Sequence, residues 1–111
     1  MRVRSGAVLV LALALATSSW VHAAGDSLAG QKKSATCVAC HGAQGQGLPP
    51  MYPALAGQSA SKLVEAMQGY KDGTRQGGQA AIMSAYLAPL NSQDIENIAA
   101  YYASLKPAAK P

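Results

Sequence analysis

The sequence predicts a small all-α domain built from three main helices and connecting loops. Three observations lead there. Apolar residues recur every three to four positions in the segments after residue 26, and no stretch makes a convincing strand. Glycine and proline gather between those segments, as loop chemistry requires. A length of 111 residues suits one domain.

The N-terminus is read separately. Arg2 and Arg4 precede an apolar run from Ala7 to Ala16, then Thr17-Ser18-Ser19-Trp20 and Val21-His22-Ala23-Ala24. A basic start, a short apolar stretch and a small-residue cleavage site make an export signal. The favoured cut follows Ala23, with Val21 and Ala23 as the residues the peptidase reads; a cut after Ala24 is the alternative. A retained anchor is the competing reading, but a span needs about 20 apolar residues to cross about 30 Å of hydrocarbon. The division is therefore a signal peptide over residues 1–23 and a domain over residues 24–111. Without Arg2 and Arg4 the formal charge drops from +4, so the basic character is partly a targeting signal and does not argue for nucleic acid binding. Trp20 and His22 leave with the signal, and His41 becomes the single histidine.

The first helix should begin at Asp26 or Ser27, either of which can cap it, and run through Leu28 to Thr36 or Cys37. Residues 42–57 carry Gly42, Gly45, Gly47, Pro49, Pro50, Pro53 and Gly57, and read as a folded loop. A second helix should run from near Ser59 to about Tyr70, with Leu63, Val64 and Met67 on one face. Residues 71–80, with Gly73, Gly77 and Gly78, read as another loop. The last helix starts at Asn91, with Asp94 three residues on in the manner of a capping box. Ile95, Ile98, Ala99, Tyr102 and Leu105 form its apolar stripe, and Pro107 ends it. Gly30 against Ile98 and Tyr101 or Tyr102 suggests a close helix crossing.

Phenylalanine is absent and the apolar content is mostly alanine, which buries little area. A domain this small usually needs a staple. A large apolar cofactor would supply one.

Cys37-Val38-Ala39-Cys40-His41 points to that cofactor. Two thiols three apart can add to the two vinyl groups of one haem, and the adjoining imidazole can ligate its iron. The rivals each lack a part. A redox dithiol wants a βαβ context. A structural zinc wants four ligands, whereas Cys37, Cys40 and His41 make three. A disulfide leaves His41 unexplained. Gly42-Ala43-Gln44-Gly45-Gln46-Gly47 follows no strand, so it is not a nucleotide loop.

From Asp26 to Leu105 the chain resembles the class I c-type cytochromes, in particular one domain of the periplasmic dihaem cytochromes c and their monohaem relatives. The likeness rests on Cys-Val-Ala-Cys-His-Gly, on Tyr52-Pro-Ala-Leu-Ala-Gly-Gln58, on Tyr70-Lys-Asp-Gly-Thr-Arg75 and on Pro89-Leu-Asn-Ser-Gln-Asp-Ile95 leading to Ile98-Ala-Ala-Tyr-Tyr102. There is one Cys-x-x-Cys-His, so the resemblance implies a single covalent haem c wrapped by the helices and loops. It also implies a methionine on the far side of the iron, in a loop shortly before the last helix. Met83, seven residues before Leu90, has the subgroup's spacing. Met51 and Met67 compete; Met67 lies on a helical stripe, where a core role is the default. An open sixth site remains the other possibility. At Pro53 the family places a carbonyl that accepts the other ring N–H of the haem histidine. Arg75 and Gln58 could reach a propionate, although each reads more simply as a solvated loop residue. Lys32, Lys33, Lys62, Lys71 and Lys106 read as a scattered surface before a docking rim.

The implied function is periplasmic one-electron transfer without catalysis. Donors would be a quinol-oxidising complex or a dehydrogenase, and acceptors a terminal oxidase or reductase. No nucleic acid partner and no membrane insertion after cleavage are expected. An open-site haem enzyme or gas sensor is the alternative, and so is a cytochrome subunit of a periplasmic dehydrogenase.

Overall fold

Asp26 opens the fold. Its carboxylate accepts from the backbone N–H groups of Leu28 at 2.9 Å and Ala29 at 3.2 Å, two of the four donors a helix start leaves unpaired. The computed structural model describes residues 6–16 and 25–109; the cleavage site predicted at Ala23 lies outside them. Residues 6–16 have no regular secondary structure, and no described helix is long and apolar enough to cross a membrane.

Helix α1 spans Ser27–Lys33 and passes through a tighter 3-10 turn, Ser34–Cys37, into the short α2, Val38–His41. The single helix expected up to Cys37 is thus broken at Lys33. Helix α3, Ala60–Asp72, is capped by the Ser59 hydroxyl and closed by Gly73, whose φ of 81° suits a residue without a side chain. Helix α4 spans Ala80–Leu87. Helix α5, Ser92–Ser104, has the expected box: Asn91 and Asp94 each accept from the other's backbone N–H, at 2.8 and 3.1 Å. Among the described residues the only strand-like pairing is the isolated bridge between Leu48 and Tyr52.

Helix α4 is a correction. The loop after α3 is shorter than the glycines suggested, and Met83 stands on a helix. Ala80, Ala81, Ile82, Met83, Ala85, Tyr86 and Leu87 are apolar around the whole circumference. They therefore show no 3.6-residue stripe, and Gln79 offers no side-chain cap, so neither usual signal was present.

Helix α1 crosses α5, α3 packs on α5, and α4 packs on α3. The first crossing depends on Gly30. A Cβ at Gly30 would collide with the backbone of Asn97 and Ile98, and one at Gly25 with that of Glu96. The main-chain N–H of Asp26 adds a bond to the Asn97 side chain at 2.8 Å. Leu63, Ile98, Ala99 and Tyr102 form the buried cluster, with Cys37, Leu55, Val64, Met67, Leu90 and Leu105 packed around it. Ile95 and Ile98, at 0% and 2% exposed, each contribute on the order of 1.5–3 kcal/mol by burial.

Candidate functional site

The Cys-x-x-Cys-His segment occupies the turn between α1 and the long loop. Cys37 ends the 3-10 turn, and Cys40 and His41 lie in α2. The tight winding brings both thiols onto one short stretch of backbone. They are half-buried and not joined to each other. Burial pushes the Cys37 thiol above its ordinary pKa, outweighing the lowering by the Thr36 and Tyr102 side chains.

Gly42 then reverses the chain at φ 90°. The loop of residues 42–57 folds back on its own start. The N–H of Gly47 donates to the His41 carbonyl at 2.7 Å, and those of Leu55 and Ala56 donate to the Gly45 carbonyl at 2.7 and 3.0 Å. The N–H of Gly57 donates to the Tyr102 carbonyl at 2.9 Å and ties the loop to α5. Gly45 packs against the Tyr102 ring, where a Cβ would not fit.

This folding brings Pro53 to His41. The ring Nδ1 of His41 donates to the Pro53 carbonyl at 2.8 Å. A carbonyl only accepts, so Nδ1 carries the hydrogen and Nε2 keeps its lone pair. His41 is 6% exposed. A buried imidazole with one fixed tautomer and one free lone pair is a metal ligand held ready.

The methionines separate by environment. Met51 is exposed on the loop, and Met67 packs against the core cluster. Met83 is partly buried on α4. The guanidinium of Arg75 lies 5.1 Å from the Tyr70 ring centroid, and the Gln58 amide donates to the Ala54 carbonyl. Lys33 pairs with Asp94 at 3.5 Å, and Lys71 reaches the end of α4.

Sequence reasoning did not anticipate the Tyr102 hydroxyl. The residue is 2% exposed, and its hydroxyl stands by Ser34 and Cys37 without a hydrogen-bond partner among the described residues. Burial first, then the Cys37 thiol, pushes its pKa up to about 12. Its place on the α5 stripe announced burial; nothing in the pattern announced an unpaired hydroxyl.

Two free thiols and a neighbouring tautomer-fixed imidazole fit a haem that is bonded by thioethers and ligated through Nε2. A helical domain with that site has the design of a c-type haem protein. The comparisons agree. The Cytochrome c family model matches residues 23–106. Cytochrome c-554(548) of Halomonas halodenitrificans is 54% identical over 81 residues, which cover 73% of this chain and 98% of that one. A protein of Thiomonas intermedia named thiosulfate dehydrogenase electron acceptor is 37% identical over 103 residues, covering 92% of this chain and 46% of that one. Reduced cytochrome c4 from Pseudomonas stutzeri superposes with a TM-score of 0.66 at 42% identity, over 77% of this chain and 48% of that one. The chain belongs to the cytochrome c family, and its cofactor is covalently bound haem c. It spans about half the length of the two longer relatives.

Proposed function

We propose that the chain is a periplasmic one-electron carrier in which His41 and Met83 would ligate the haem iron. The observation that carries the reading is the 2.8 Å bond between His41 Nδ1 and the Pro53 carbonyl, beside two unjoined thiols. The bound haem supplies an iron that alternates between ferrous and ferric. Cys37 and Cys40 would hold the haem through thioethers, each S–H adding across a vinyl group with its hydrogen going to the other vinyl carbon. His41 would ligate the iron through Nε2, with the Pro53 carbonyl fixing its ring. Met83 would supply a soft, neutral thioether, which favours the ferrous state. Residues 24–111 contain no second histidine and five acids, which gives little proton-transfer machinery for a haem enzyme.

Export follows from the N-terminal pattern, with the signal peptide removed after Ala23 and a domain over residues 24–111. Redox proteins are the partners. A dehydrogenase as donor is supported by the Thiomonas relative's name, and a quinol-oxidising complex or terminal oxidase fits the same chemistry.

The test is an absorption spectrum of the purified protein in both redox states, with haem retention in a denaturing gel. Carrier function requires retained haem and a weak ferric band at the red end that vanishes on reduction. Haem that washes out rejects covalent attachment. Absence of the band together with rapid carbon monoxide binding supports the open-site class instead.

A further inference from the structure

The segment Tyr70-Lys71-Asp72-Gly73-Thr74-Arg75 joins α3 to the α4 arm. It is a folded turn. Asp72 accepts from the Thr74 N–H at 2.9 Å and hydroxyl at 2.6 Å, and the Arg75 N–H returns to the Gly69 carbonyl at 2.9 Å. The turn leaves two groups facing α4. The Tyr70 carbonyl, unpaired at the end of α3, accepts from the Ser84 hydroxyl at 2.6 Å. In the other direction the Lys71 ammonium donates to the carbonyls of Leu87 at 3.4 Å and Ala88 at 3.0 Å, at the end of α4. Each helix thus satisfies a C-terminal carbonyl of the other, and Lys71 places a positive charge at the negative end of α4. At its N-terminal end α4 has no side-chain cap, and a Cβ at Gly77 or Gly78 would meet nothing within 4 Å.

We propose that Lys71 and Ser84 are positioning residues for the Met83 thioether. They lock α4 against α3 at Ser84, next to Met83, and again at the Leu87 and Ala88 carbonyls one turn further on, and so set the fraction of time the sulfur stays on the iron. The proposal rests on the reading of Met83 as axial ligand. Loss of the lock frees α4 to swing on the open Gly77-Gly78 end, and the sixth position then becomes accessible. The attachment side of the haem is untouched, because none of its bonds involves α4.

The test uses the haem-loaded protein and follows carbon monoxide association with the ferrous form, the methionine–iron band of the ferric form, and the reduction potential. Lys71→Met and Ser84→Ala together should raise the carbon monoxide rate about tenfold, the factor that one charge-assisted hydrogen bond supplies. They should also weaken the band and lower the potential. Lys71→Arg, which keeps charge and donors, should restore most of the wild-type behaviour. Lys62→Met removes an equal charge from α3 without touching α4, and should change nothing. If the double variant does not fold, Lys71→Met alone decides, since that side chain is exposed. A wild-type rate and band in the Lys71 and Ser84 variants, while Met83→Ala loses the band, overturns the lock. An equal rise in Lys62→Met overturns it too, by assigning the effect to charge. A Met83→Ala protein that keeps the band removes the axial reading and the lock with it.

Discussion

The loop of residues 42–57 and the arm of residues 73–88 look alike in sequence, since both are announced by glycines, yet they end differently. The first becomes a cradle. Main-chain bonds from Gly47, Leu55, Ala56 and Gly57 hold it to itself and to α5, and it delivers the Pro53 carbonyl to His41. The second gives way to an eight-residue helix on which Ile82 and Tyr86 are each 51% exposed. Two side-chain ties, Ser84 to Tyr70 and Lys71 to Leu87 and Ala88, hold it to α3. The difference teaches that the attachment side is built into the fold, whereas α4, which carries the proposed ligand Met83, is docked onto it. Variants on the first side should damage folding, and variants on the second should damage ligation.

The largest expected effect breaks the comparison at its root. Cys37→Ser with Cys40→Ser should abolish covalent haem altogether and leave a largely unfolded chain, because the core without haem is thin. Haem staining of a denaturing gel and far-ultraviolet circular dichroism check both halves. Next comes Gly30→Ala. The added methyl group meets the main chain of Asn97 and Ile98, which cannot turn aside, so a loss of about 3 kcal/mol or more is expected, at the top of the overpacking range. Urea unfolding of the haem-loaded protein reads it, and stability within about 0.5 kcal/mol of wild type would mean that the α1–α5 crossing is not tight.

Met67→Ala and Met83→Ala sharpen the contrast between core and ligand. Met67 packs on the core cluster without being fully buried, so its loss should cost about 2 kcal/mol while the iron spectrum stays unchanged. Met83→Ala should keep the haem attached, lose the methionine–iron band, lower the reduction potential and admit carbon monoxide. If the two variants exchange these signatures, the assignment of core and ligand methionine is reversed.

The smallest effect concerns Tyr102. Its hydroxyl is buried and unpaired, so Tyr102→Phe should leave stability unchanged or slightly raised under neutral conditions, as removal of an unsatisfied polar group predicts. The pH response has a definite sign. Burial, the larger cause, persists when Cys37 is bonded to haem and keeps the folded-state pKa above its ordinary 10.0. The hydroxyl's contribution is complete below pH 10 and is lost as pH rises through the raised folded-state pKa, because the unfolded chain ionises first. Alkaline denaturation of wild type and Tyr102→Phe, compared over that range, should show the steeper loss in wild type alone.

The sequence alone determined what is local. The Cys37, Cys40 and His41 spacing, the Asp26, Ser59 and Asn91 caps and the α5 stripe are each written within a few adjacent residues, and capping and helical periodicity act at that range. The partnership of His41 with Pro53, twelve residues apart, came only from likeness to relatives, and the folded loop supplies its physical cause. Three features were decided by tertiary structure. Helix α4 has no polar face to mark it, so its existence depends on packing against α3. The Lys71 and Ser84 ties join residues 14 to 17 apart that no periodicity relates. The unpaired Tyr102 hydroxyl arises where α5 meets the attachment turn. Local patterns specify which segments are helical and which atoms can react; only the meeting of distant segments decides which carbonyls are satisfied, which hydroxyl is stranded and how α4 is tied to α3, because those depend on contacts whose chain-closure entropy is met by the fold as a whole.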